Sequence, residues 1–249
     1  MSKEISLLET GRMLLAAESI VLCTHVSPDG DTLGSALGLA RFLRQQGKQI
    51  TVFCDDDINK SLSFIPGIEM CQRPVEGSTV TADLLVVVDA SSFDRVGLVA
   101  DVVKPKLLLN IDHHISNTRF ADYLYLDDKA AAVGEVMCDL FEAMHWQMDE
   151  EMAVCFYTAI STDCGSFRYA NTTPKTMRDA AKLLEYGVQP NEISDCLDIR
   201  SRATVELLGK VLPSLSFACE GKIAYITITN DLYDKNAQTD SFVSYPRYI

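Results

Sequence analysis

The sequence predicts an α/β fold: a doubly wound, mostly parallel sheet, followed by helices and a partial, smaller α/β C-terminal domain. Three observations predict it. Four short runs, IVLCT (20–24), ITVFC (50–54), LLVVVDA (84–90) and KLLLNID (106–112), are apolar through nearly their whole length, as strands covered on both faces are. Segments of helical pattern alternate with them in the rhythm of βαβ units. With 47% hydrophobic residues in 249, the chain can bury one large domain or a medium domain with a smaller partner.

The elements follow in order. The N-terminal stretch MSKEISLLETGRMLLAAES interrupts its apolar residues with Glu4, Glu9 and Arg12, so it reads as an amphipathic helix with Ile5, Leu8 and Leu15 on one face, and not as a signal peptide. IVLCT leads into a Pro-Asp-Gly loop. A helix then runs from about Thr32 to Gln46 and stops at Gly47. After the strands at 50–54, 84–90 and 106–112, YLYLD (123–127) forms a fifth. Helices are expected from Ala130 to Trp146, from Asp149 to about Thr162, and from Thr173 to Tyr186, the last with Pro174 at its start and Gly187 at its end. Pro190 opens another. TVELLGKVL reads as a helix and GKIAYITITN (221–230) as a strand, with a domain boundary near 190–203.

Composition narrows the function. The net charge of −13, without a basic stripe, argues against a partner as long as duplex nucleic acid. A small phosphate compound remains open if divalent cations supply the positive charge. No apolar run reaches the ~20 residues that span a bilayer. The eight cysteines form no CxxC pair, which argues against a structural zinc site; in a chain this large without the pattern of an export signal they read as reduced thiols and point to the cytoplasm.

Acids and imidazoles collect at the ends of these elements. His25, Asp29 and Asp31 follow the first strand, Asp89 closes LLVVV, Asp112, His113 and His114 close KLLLNI, and Asp163 ends the helix EEMAVCFYTAIST. Three of the four histidines lie in these loops. Ligands of open parallel sheets bind outside the carboxyl ends of the strands, where such loops converge. Asp29 and Asp31 flank Gly30, which is expected to let the backbone turn sharply and aim two carboxylates at two ions. Mixed oxygen and imidazole donors suit manganese, with magnesium, cobalt or zinc as substitutes. Two such ions can activate a shared water against phosphorus.

The segments HVSPDGDTLGSALGL, VVVDASSFDRVG, NIDHHISNTRFAD and STDCGSFRY, in this order, resemble the four motifs of the DHH phosphoesterase superfamily. The resemblance runs from about residue 17 to 230 and looks most like the bacterial nano-RNase (oligoribonuclease) and 3′-phosphoadenosine-5′-phosphate phosphatase branch. It implies a catalytic domain over 1–190, a linker over 191–203, and a partial DHHA1-type substrate domain over 204–249. It implies that His25, Asp29 and Asp89 hold one metal and that Asp31, Asp89, His113 and Asp163 hold the other. His114 would face the phosphate, with Asp112 orienting histidine. The family's glycine-rich GGGH segment is not found in this sequence, and a weakened grip on nucleotides is expected from that. Arg168 is a candidate phosphate partner, and so is the start of the helix near Thr32.

The expected activity is hydrolysis of short oligoribonucleotides or of 3′-phosphoadenosine 5′-phosphate. Partners would be small nucleotides or short single-stranded RNA, with no membrane; a homodimer stays open. The alternatives are inorganic pyrophosphatase or dinucleotide phosphodiesterase chemistry and, from another class, a catalytically weak metal- and nucleotide-binding protein.

Overall fold

The computed structural model describes residues 2–233, 237, 239–247 and 249. Two compact units divide the chain, Met1–Ser194 and Asp195–Ile249.

The first unit is built on a seven-stranded sheet. Its strands are β1 (Lys3–Glu4), β2 (Ser19–Cys23), β3 (Gln49–Phe53), β4 (Cys71–Gln72), β5 (Val80–Val88), β6 (Val103–Asp112) and β7 (Tyr123–Leu126), in the order β1-β7-β6-β5-β2-β3-β4. Every neighbouring pair is parallel. The chain moves outward from β2 to β4 and then returns to the other side of β2 with β5. The order therefore reverses between β2 and β5, and the crevice of an open α/β sheet lies at such a switch point.

The helices of this unit are α1 (Leu7–Ala16), α2 (Gly30–Gln45), α3 (Val99–Val102), α4 (Val133–Met144), α5 (Glu150–Asp163) and α6 (Pro174–Glu185); α7 (Pro190–Asp198) carries the chain across the division. One sheet face buries Val21, Cys23, Leu85 and Val87 against Val96, Val99 and Val102. On the other side α2 lies against the sheet and packs along α5. The strands are thus covered twice, which explains their unbroken apolar runs.

The expected first helix is corrected. Ser6 and Glu9 form a capping box that starts it at Leu7. Ile5 consequently belongs to the extended segment beside β7, where its N–H donates to the Leu124 carbonyl. The buried face is Thr10, Gly11 and Leu14, and Leu8 is 45% exposed. The edge strand β1 is too short to show periodicity.

Gly30 also has a different role from the one expected. It is the first residue of α2, not a left-handed turn, and a Cβ there would stand 2.5 Å from Thr162 Oγ1. Gly34 and Gly38 follow at helical spacing. A Cβ on Gly34 would stand 2.3 Å from the Cys155 carbonyl oxygen, and one on Gly38 2.4 Å from the Phe156 ring. These absent side chains let α2 and α5 approach closely, and at Gly34 backbone meets backbone. Gly34→Ala should therefore destabilise the protein by about 1–3 kcal/mol, because backbone must yield. Gly209→Ala, in open space, should cost nothing and stabilise its helix by up to about 1 kcal/mol. Denaturant melts of the two variants check the contrast.

The second unit contains α8 (Arg202–Val211) and an antiparallel pair, β8 (Ser216–Ala218) and β9 (Ile223–Tyr225). The strand expected over 221–230 is thus only three residues long. Beyond Tyr225 the Ser214 hydroxyl accepts the Thr227 N–H at 2.9 Å. Ile226 and Ile228 turn instead toward Leu207, Val211 and Phe242.

Candidate metal centre

The carboxyl ends of β2, β5 and β6 lie side by side, and each delivers part of the centre. After β2 the chain passes Thr24 and His25 to Ser27, whose left-handed backbone (φ 53°) is held by the Asp56 carboxylate accepting its N–H at 2.9 Å. Asp29 then caps α2, with Oδ1 accepting from the Asp31 and Thr32 amides at 3.0 and 3.1 Å. Those amides are consequently occupied by the helix's own cap, which corrects the expectation of an open anion site there. The other oxygen of Asp29 stands 3.7 Å from His25 Nε2.

Asp31, only 1% exposed, serves a second helix. The residue before α4, Ala132, stands in the cap position without a capping side chain. Asp31 supplies the missing acceptor from α2: Oδ2 takes the Val133 N–H at 2.7 Å, and Oδ1 takes the Gly134 N–H at 2.9 Å and the Ser35 hydroxyl at 3.1 Å. A buried carboxylate at a helix N-terminus is favourably placed in the helix field.

Asp89 occupies the left-handed region at φ 59°. Non-glycine residues there cost about 1–3 kcal/mol unless their surroundings hold them. Three contacts do so. Its N–H donates to the Ile111 carbonyl at 2.9 Å, and the Thr32 hydroxyl donates to the Val88 carbonyl at 3.0 Å. The Asn110 amide donates to the Ala90 carbonyl at 3.3 Å. The turn faces one carboxylate oxygen to His25 Nε2 and the other to His113 Nε2, each 3.5 Å away. Asp89 Oδ1 is buried with no hydrogen-bond partner.

His113 donates from Nδ1 toward the Ala130 carbonyl at 3.0 Å when that nitrogen carries the proton, leaving Nε2 at 3.8 Å from Asp163 and 3.9 Å from Asp31. His114 Nδ1 is 2.8 Å from Asp112 Oδ1, and Asn117 donates to Asp112 Oδ2 at 2.6 Å and to Asn110 Oδ1 at 2.7 Å. Although His114 Nδ1 also lies 3.5 Å from Asp89, its shorter bond to Asp112 commits that nitrogen and leaves Nε2 available.

Three overlapping donor groups result: His25 with Asp29 and Asp89; Asp31 with His113 and Asp163; and Asp89 with His113 and His114. Within each, the donor atoms lie within 4.8 Å of one another. The expected metal ligands therefore come together, with His114 and Asp112 beside them, while no donor group includes Arg168. That residue is exposed, and its Nε donates to the Gly165 carbonyl at 2.8 Å.

The electrostatics are those of a crowded acidic site. Burial alone would lower the His25 pKa, but Asp29 and Asp89 outweigh it and raise it to about 10. His113 follows the same pattern, with burial overcome by Asp89 and Asp31, and also rises to about 10. Burial, with the Asp89 charge added and His113 opposing, lifts Asp163 to about 6; burial and Asp89 likewise push Asp31 upward. Oxygen and imidazole donors around an orphaned buried carboxylate oxygen fit a pair of divalent cations. Ligating atoms must first shed these protons, so cation affinity should rise as the pH is raised from about 6 to 9. Calorimetric titration at pH 7 in buffers of different ionisation enthalpy should count protons released per chain. No release would contradict this account.

Residues 19–160 match the family model described as the DHH family, N-terminal domain. The chain belongs to the DHH family. This DHH chain is 35% identical over 230 residues to the bifunctional oligoribonuclease and PAP phosphatase NrnA of Thermus thermophilus, covering 92% of itself and 69% of that relative. It is 25% identical over 202 residues to a manganese-dependent inorganic pyrophosphatase of Methanothrix thermoacetophila, covering 77% of itself and 64% of that protein. Its fold matches the crystal structure of an exopolyphosphatase-related protein from Bacteroides fragilis with a TM-score of 0.89 and 25% identity, covering 98% of this chain and 76% of the other.

Asn110, Asn117, Asp56 and the Thr32 hydroxyl are parts of the centre to which sequence reading gave no role. Asn110 had one visible signal, an amide inside the apolar run KLLLNID. Asp56 had none, since it lies in the loop after β3 and acts on a distant residue.

Proposed function

We propose that this DHH chain is a metal-dependent phosphoesterase that hydrolyses short oligoribonucleotides and the 3′-phosphate of 3′-phosphoadenosine 5′-phosphate, with manganese as its cation. The observation that carries the reading is Asp89, a buried carboxylate facing His25 on one side and His113 on the other. His25, Asp29 and Asp89 would hold one cation; Asp31, Asp89, His113 and Asp163 would hold the other. When bound, the cations supply charge neutralisation at the phosphoryl oxygens and acidity to an attacking water.

The chain's own groups orient the reaction. Asp112 fixes His114 through Nδ1, and Asn117 holds Asp112 in turn. His114 Nε2 is then directed to the phosphate, where it donates a hydrogen bond as charge develops. Substrates would be small nucleotides or short single-stranded RNA in the cytoplasm. Residues 1–190 would form the catalytic domain, 191–203 a linker, and 204–249 part of a DHHA1-type substrate domain.

The pyrophosphatase relative favours inorganic pyrophosphate as a second reading. Phosphate or nucleotide release from a panel containing a diribonucleotide, 3′-phosphoadenosine 5′-phosphate and pyrophosphate, at saturating manganese, tests the two. The expected result is turnover of the first two compounds. Turnover of pyrophosphate alone would select the second reading. Binding without turnover would leave a metal- and nucleotide-binding protein.

A further inference from the structure

In the donor group Asp31, His113 and Asp163, one short stretch of backbone holds two of the three side chains. The Ala130 carbonyl stands 3.0 Å from His113 Nδ1, and the Val133 and Gly134 amides donate to Asp31. The third donor, Asp163, comes from the last residue of α5. Its place relative to the other two depends on what ties residues 130–134 to that end of α5. Asn171 makes such a tie. It lies in the loop between α5 and α6, and its Nδ2 donates to the Ala131 carbonyl at 3.2 Å and to the Asp163 carbonyl at 3.3 Å. A side-chain amide nitrogen carries two hydrogens, so each carbonyl receives its own. Both partners can only accept, which fixes the end of the amide that faces them.

Both sides of this tie are themselves fixed. The Ala131 N–H donates to Glu135 Oε2 at 3.3 Å, and the Ala130 N–H donates to the Asp127 carbonyl at 3.2 Å. On the other side Gly165, Ser166 and Phe167 are left-handed in succession, at φ 58°, 56° and 62°. Such backbone persists only where its surroundings hold it. The Ser166 N–H donates to the Ser161 carbonyl at 2.7 Å, and the Arg168 and Tyr169 N–H groups both donate to the Cys164 carbonyl at 3.1 Å. Thr173 then opens α6 with a capping box. Asn171 thus stands in a loop anchored at both ends, and its amide reaches back to the residue that carries the third carboxylate.

We propose that Asn171 is a positioning residue: its amide sets the place of Asp163 against His113 and Asp31, and so the strength with which these three hold a cation. This rests on the two-cation reading above. Groups that touch no ion but orient its ligands typically change cation affinity about 10- to 100-fold when removed. Asn171 is exposed, so its replacement leaves no hole in the core. The other donor group, His25 with Asp29 and Asp89, has no contact with Asn171 among the described hydrogen bonds. The effect is therefore confined to one of the two cations.

Asn171→Leu, which keeps the volume and removes the donors, and Asn171→Gln, which restores an amide, test it. Free manganese is read by electron paramagnetic resonance as each protein is titrated. Asn171→Leu should raise one of the two dissociation constants about 10-fold and leave the other within about threefold, and Asn171→Gln should recover part of the loss. With Asp163→Asn already in place, Asn171→Leu should add less than about twofold, because the two changes act on one site. The metal-free melting temperature should match wild type. Unchanged manganese binding in Asn171→Leu overturns the proposal. Losses at both sites with a lower metal-free melting temperature also overturn it, as does a full further loss in the Asp163→Asn background, since the amide would then be general support. A wild type that holds no manganese sinks the two-cation reading separately. The metal-free proteins still decide the role of Asn171 by nuclear magnetic resonance: Asn171→Leu should shift the His113 ring signals and leave those of His25 in place, and an unmoved His113 overturns the proposal.

Discussion

Replacing Asp89 with asparagine should abolish most of the thermal stabilisation that manganese confers. Without cations, Asp29, Asp31, Asp89 and Asp163 share one site with His25 and His113, and their mutual repulsion is relieved only by protons. Ligands that bind the folded state stabilise it by mass action, about 2.7 kcal/mol per site at a hundredfold excess over the dissociation constant. For two sites in a chain of this length, the expected rise in melting temperature is on the order of 10 °C. Asparagine preserves the shape of Asp89 but removes the charge that both donor groups use, so both sites weaken together. Differential scanning calorimetry with and without manganese reads the effect, and the metal-free scan shows that the variant folds. An unchanged response to manganese would sink the bridging role.

His114→Ala should lower turnover about 10²–10³-fold while both ions remain bound. The geometry makes this more than a generic loss. His114 Nδ1 is committed to Asp112 at 2.8 Å, so under the proposed reading the ring would reach the substrate through Nε2 and leave the metal donors to its neighbours. The competing arrangement has His114 as a ligand to Asp89's cation through Nδ1, from its 3.5 Å position. Metal analysis separates them: two ions per chain in the variant support a phosphate-facing His114, and one ion makes it a ligand.

Much of this architecture was legible because burial on both faces leaves a simple trace. β2, β5 and β6 are apolar in consecutive residues, and the acids and histidines begin where the apolar run stops. What was not legible depends on partners far apart in sequence. Gly30 looked like backbone freedom, and only the position of α5 reveals it, with Gly34 and Gly38, as room for a neighbour. Asp31 looked like a ligand alone, and only the position of α4 reveals it as that helix's cap. The strand expected over 221–230 failed for a related reason: its alternating isoleucines fit a strand locally, yet Ile226 and Ile228 are drawn to the cluster around Val211 and Phe242.

The backbone contact between α2 and α5 acts as a gauge for the centre. Asp29 and Asp31 stand at the first turn of α2, and Asp163 is the last residue of α5, so these carboxylates ride on opposite members of one helix pair. Side chains between helices can repack to absorb small shifts, whereas backbone against backbone has almost no play. The opening between these acids is thus calibrated by atoms that never meet an ion. Prising the pair apart would move Asp29 and Asp31 away from Asp163 by a like amount. The spacing of these acids is in this sense set in part at Gly34.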